Sequence, residues 1–215
     1  MTRGRWRTPH VAMLLLAVVG AARGDERDEW ALAGPVRARL DAGEIVVVAD
    51  EAARTTGTGE VQAAVRIAAS PRLVYAQMID CAQALRYVPR LRLCRVLATA
   101  PDGLWQDLEQ EVDYGWLLPA LRYSFRAHYE PDRSVRFSAL GGALRVNDGL
   151  WVLWPDAGGE ATIVSYRVRI EPRFPVPRWL VTASLQRELP DLLGALRQHC
   201  ERGDEGTDLF FPSEK

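Results

Sequence analysis

Apolar and polar residues alternate along most of this chain, and the alternation gives way to helical spacing near its C-terminal end. Pro172, Pro175 and Pro177 close the last extended run, because proline fixes φ and cannot continue a ladder. A helix can begin at Pro177, where a missing N–H costs nothing. From there Trp179, Ala183, Leu185, Leu189, Leu192, Leu193 and Leu196 recur at helical spacing. Arg178, Gln186, Arg187, Asp191 and Arg197 fall mostly on the other side. Pro190 lies inside the run and predicts a kink or a split.

Upstream, residues 60–68 point Val61, Ala63, Val65 and Ile67 one way and Gln62 and Arg66 the other, a half-buried strand. Ser70 and Pro71 fit the N-cap and first position of a helix with Val74, Met78 and Ile79 on its apolar face, ending near Ala84. Strands are then predicted over 91–99, 104–114, 121–130, 135–139, 144–154 and 162–171. Turn signals at Pro101-Asp102-Gly103, Pro131-Asp132, Gly141-Gly142 and 156–159 separate most of them. Short turns between consecutive strands make an antiparallel sheet of about seven strands, which twists and needs a cover on one face. The final helix supplies that cover, so the domain is α+β. It is expected to span 58–200, with a lead-in over 25–57 and a flexible tail over 201–215. Trp30, Ala33, Val36 and Leu40 form a stripe in the lead-in, followed by a β-rich run over 44–49.

Residues 1–24 read as a secretory signal peptide. Arg3, Arg5 and Arg7 precede a nine-residue apolar run, too short to span a bilayer, and Ala22-Arg23-Gly24 offers a cleavage site. Export to a bacterial periplasm is therefore expected. The whole chain carries 27 basic and 28 acidic residues, and cleavage removes four arginines, so the mature charge is 23 − 28 = −5. That balance argues against a nucleic-acid partner. No other apolar run is long enough for a stable membrane span.

Little chemistry is legible. His10 leaves with the signal, His199 ends the last helix where a cation interacts with the dipole, and His128 shares an outward face with Arg122 and Arg126. No catalytic residues, cofactor or metal site can be assembled from the spacing. Asp107, Glu109, Glu111 and Asp113 alternate along one strand, either as neighbouring carboxylates or as a solvated face paired with Arg122 and Arg126. Of three cysteines, Cys81 and Cys94 could close a loop worth about 3 kcal/mol, or all three could be buried small hydrophobes. Gln106 and Gln110 share an inward face with Leu108, Val112 and Tyr114. Buried amides need hydrogen bonds, from a ligand or from neighbours and water.

The order of elements, with Ala69-Ser70-Pro71, Val74-Tyr75, the 80–89 segment DCAQALRYVP, Gly149-Leu150-Trp151 and the PVPRWL entry to the last helix, resembles the START-like (SRPBCC) helix-grip superfamily. That group includes polyketide cyclases and dehydrases and coenzyme-Q-binding proteins. The resemblance implies a curved sheet gripping the C-terminal helix, with a cavity between them for a lipid or another hydrophobic molecule. Its expected lining is Gln106, Leu108, Gln110, Val112, Tyr123, Phe125, Phe137, Trp151, Tyr166, Leu185 and Leu189. The implied role is a periplasmic binding or carrier protein for a lipid, quinone or polyketide-like molecule. A cyclase- or dehydrase-type enzyme using the same cavity is one alternative. A protein-interaction module presenting 116–119 or Phe210-Phe211 is another.

Overall fold

The computed structural model describes residues 29–49, 60–113 and 120–205. The expected signal peptide, residues 116–119 and Phe210-Phe211 lie outside the described residues. Eight strands form one antiparallel sheet: β1 Val46–Ala49, β2 Glu60–Ile67, β3 Leu91–Thr99, β4 Trp105–Val112, β5 Leu121–Glu130, β6 Ser134–Gly142, β7 Leu144–Asp156 and β8 Ala161–Pro172. Their order is β1-β2-β8-β7-β6-β5-β4-β3, so β2 pairs with the last strand and β1 adds an eighth at one edge. Register shifts in β3, β5–β6 and β7 mark bulges, which bend the sheet and increase its twist.

Among the described residues four α-helices accompany the sheet: α1 Gly34–Asp41, α2 Pro71–Ile79, α3 Cys81–Tyr87 and α4 Arg178–Glu205. The single helix expected over 70–84 is two helices. Ser70 caps α2 by accepting the N–H of Leu73 at 3.4 Å. Asp80 then leaves the helical region at ψ 114° and caps α3, accepting the N–H of Ala82 at 2.7 Å and of Gln83 at 3.3 Å. The buried Thr162 hydroxyl donates to the Ala69 carbonyl at 2.7 Å, tying β8 to the start of α2.

Helix α4 passes through Pro190 without splitting. Its buried stripe is Leu189, Leu193, Leu196 and Cys200, at steps of four, three and four residues, packed chiefly on β2 and β1. Trp179, expected on that stripe, is 71% exposed. The helix outruns its support: 28 residues span about 42 Å, whereas the eight residues of β2 reach about 27 Å.

The other face of the sheet is covered at the same end. Ala31, Leu40 and Val46 pack with Ala64 and Ile163, joined by Trp30, Val36 and Trp154. Asp156 accepts from both Arg37 and Arg66 at 2.7 Å, clamping α1 to the sheet. Strands β2 and β8 are thus buried on both faces there, while the β3 edge stays largely exposed.

Candidate functional site

The inner face of β4–β8 does not close fully on the helices. A cavity of about 200 Å³ remains between the sheet and the α2–α3 pair. Leu108 and Gln110 of β4, Tyr123 and Phe125 of β5, Phe137 of β6, Trp151 of β7 and Tyr166 of β8 all line it, as alternation on their strands requires. Ala127 and Tyr129 continue the β5 face, and Asn147 lines it from β7.

Four expected residues lie elsewhere. Gln106 sits near the start of β4, where its Oε1 accepts from the Tyr129 hydroxyl at 2.9 Å and its amide nitrogen donates to Thr99 at 3.4 Å. Val112 ends β4, beyond the cavity. Leu185 and Leu189 fill the contact between α4 and the sheet instead of facing open space. Among the described residues α4 contributes only Leu192 to the lining, and the roof comes from α2, α3 and the residues beside them, including Met78, Ile79, Ala84 and Tyr87. Helical periodicity had marked Met78 and Ile79 as apolar, but nothing in it distinguishes a residue facing a void from one facing a neighbour.

One wall is a chain of rings. Tyr123 and Phe125 lie 6.1 Å apart, Phe125 and Phe137 5.9 Å, and Phe137 and Tyr166 6.2 Å, all between ring centroids. Trp151 and Tyr166, direct partners across β7 and β8, stack at 3.7 Å with planes 10° apart. Phe137 is paired with Gly149 on β7. A Cβ at 149 would collide with the Phe137 ring and come within 2.6 Å of the Arg167 carbonyl oxygen, so only glycine leaves that ring its place.

The polar groups of the lining are few. Gln110 accepts from the Tyr123 hydroxyl at 3.0 Å and its amide nitrogen lies 3.8 Å from Cys94 Sγ. Cys94 is bonded to Cys81, which joins β3 to α3 at the cavity edge, with Cα atoms 5.3 Å apart. Burial pushes the phenols of Tyr166, Tyr87 and Tyr129 well above the ordinary tyrosine value, so they remain neutral at physiological pH. Asp80, an exposed residue, stands at the cavity edge with its carboxylate capping α3.

The remaining candidates are structural. Asp107 with Arg126 at 2.7 Å, and Glu111 with Arg122 at 2.6 Å, form cross-strand ion pairs on the outer face, and Glu109 takes Arg95 at 2.7 Å. His128 is exposed. His199 is not a helix-terminal cation, because α4 continues to Glu205. Its Nε2 is 2.9 Å from Gln77 Oε1, its ring stacks on Tyr87 at 5.1 Å, and desolvation, then Arg202 and Arg86, lower its pKa. Cys200 is unbonded and buried, its thiol pushed up to about 12 by burial. Among the described residues no cluster of histidine, cysteine or carboxylate groups could hold a metal ion, and no helix is long and apolar enough to cross a membrane.

Residues 67–197 match the family described as polyketide cyclase / dehydrase and lipid transport. No curated protein matches the chain. Solved structures do. The START superfamily protein of Mycobacterium smegmatis is 20% identical with a TM-score of 0.60, over 66% of this chain and 97% of that one. The STAR-related lipid transfer protein of Xanthomonas axonopodis is 20% identical with a TM-score of 0.59, over 73% of this chain and 92% of that one. The Zhui aromatase/cyclase of Streptomyces sp. R1128 is 18% identical with a TM-score of 0.58, over 66% of this chain and 93% of that one. At these identities the likeness is one of fold: a START-like α+β helix-grip architecture.

Proposed function

The chain belongs to the polyketide cyclase / dehydrase and lipid transport family, and we propose that this member binds and carries a hydrophobic small molecule in the cavity under α2 and α3. The observation that carries the reading is the unfilled, aromatic-walled space itself. Interiors otherwise pack with few voids larger than a water molecule, and apolar cavities of about 150 Å³ take up benzene-sized guests. At about 200 Å³ the space suits one ring or the end of a longer chain. A bulkier guest requires α2 and α3 to move outward from the sheet.

Export to the periplasm is part of the same proposal. The pattern of residues 1–24 supports it, and a disulfide at Cys81–Cys94 fits an oxidising compartment. A cyclase or dehydrase role would use the same cavity. It needs a positioned proton acceptor as well as a donor, whereas the neutral phenols of the lining can act only as donors and the Asp80 carboxylate is committed to capping α3.

The test is to express the full precursor, purify the secreted product under non-denaturing conditions, and record its native mass before and after organic extraction. A released hydrophobic mass, and a chain that begins at Asp25, are expected. A protein retained in the cytoplasm with residue 1 intact would sink the export reading. Failure to take up any small apolar compound would sink the carrier reading.

A further inference from the structure

The polar groups around the cavity divide into two sets. Gln106 and Gln110, the amides that the strand pattern marks as guides for a guest, are already engaged by Tyr129, Thr99, Tyr123 and Cys94. Asn147 and Tyr166 are different. Both line the cavity, they are only 6% and 8% exposed, and neither side chain makes a hydrogen bond among the described residues. Their polar atoms are not sealed off, since Trp154 Nε1 is the one fully buried and unpartnered side-chain polar atom among the described residues, so the open cavity is where a partner for the Asn147 amide can be supplied.

The charge of the lining points the same way. Among the described residues that line the cavity there is no arginine, lysine or histidine, and Asp80 is the one charged side chain. An anionic guest would meet a carboxylate and no cation, and would lose its hydration on entry. We infer that the site selects uncharged ring compounds bearing a hydroxyl or carbonyl oxygen over the corresponding carboxylates, with the Asn147 amide as the hydrogen-bonding anchor. An amide suits either oxygen, since its NH₂ donates to a carbonyl and its own oxygen accepts from a hydroxyl. The inference rests on the carrier reading and sharpens it.

Three probes of nearly one size separate the terms: toluene, p-cresol and p-toluate, titrated into the purified protein at pH 7.5 and followed by calorimetry. Binding of p-cresol about fivefold or more tighter than toluene is expected, the worth of one buried hydrogen bond. Binding of p-toluate is expected to be at least tenfold weaker than that of p-cresol. In Asn147→Leu, which keeps the branched shape of asparagine without its hydrogen-bonding groups, the p-cresol advantage over toluene should vanish. If toluene binds but p-toluate equals or exceeds p-cresol, or if the variant keeps the p-cresol preference, the anchor is overturned while the carrier reading stands. If none of the three binds, the carrier reading fails and takes the inference with it. Should Asn147→Leu not fold by circular dichroism, the order of the three probes on the parent protein still decides.

Discussion

Tyr123 donates a 3.0 Å hydrogen bond to Gln110, its direct partner across β4 and β5. Gln110 is in turn paired with Cys94 on β3, so one row across three strands links the aromatic wall to the disulfide. Tyr123→Phe removes the donor and leaves a part-buried amide oxygen short of a partner. The expected loss is about 1 kcal/mol in urea unfolding, with little change in the slope. Adding Gln110→Leu should cost less than the sum of the single changes, since the stranded oxygen goes with it.

The Cys81–Cys94 bond closes a loop of sequence separation 13. Replacing both by serine should lower stability by about 3 kcal/mol, or roughly 6–12 °C in Tm for a domain of this size. Because the bond also fastens α3 to β3, amide hydrogen exchange should quicken first in α3. Equal quickening in β7 and β8 would mean that the bond acts only through global stability.

Gly149→Ala should destabilise by about 1–3 kcal/mol, because the added Cβ meets both the Phe137 ring and the β8 backbone. If the strand cannot yield, the Phe137 ring must swing into the cavity. The variant is then expected to lose capacity for a ring-sized guest, as read by toluene titration.

Asp156 is held below the ordinary carboxylate value, first by its hydrogen bond from Arg66, with burial opposing and the Arg37 hydrogen bond and charge lowering it further. Its stabilisation is therefore complete above the unfolded value near 3.8 and disappears as pH falls through the lower folded value. Asp156→Asn should cost about 1–2 kcal/mol at pH 7, given the partly exposed guanidiniums, and should flatten the acid limb of the stability curve. Protease cutting within residues 29–49 should also rise in the variant, because Asp156 clamps α1.

Much of this was legible in the sequence. The strands from β2 to β8 appeared because one face of each must be apolar, and of the nine strand residues expected in the lining seven share the cavity, while Gln106 and Val112 lie beyond it. What alternation could not give was the extent of the surface opposite. Trp179 has the right phase for the α4 stripe but lies past the end of its support. Leu189 has the right phase too, and meets β2 before it reaches any void. Asp80 reads as one more polar helix position, because its capping role exists only once the chain has left the helical region. Asn147 follows the register shift between Leu144 and Val146, where counting by twos no longer tells which face a residue takes. The anchor therefore escaped the pattern that found Gln110.

The pairing of β2 with β8 sets a timetable. Glu60 lies opposite Arg169, so until the final strand has left the ribosome β2 has only the four-residue β1 as a hydrogen-bonding neighbour. The β3–β7 meander can zip from its turns, hairpin by hairpin, but the pocket it frames stays unroofed and its greasy face uncovered until the chain's end arrives. The sheet is thus completed late, and its β2 edge waits for the last strand through most of the chain's synthesis.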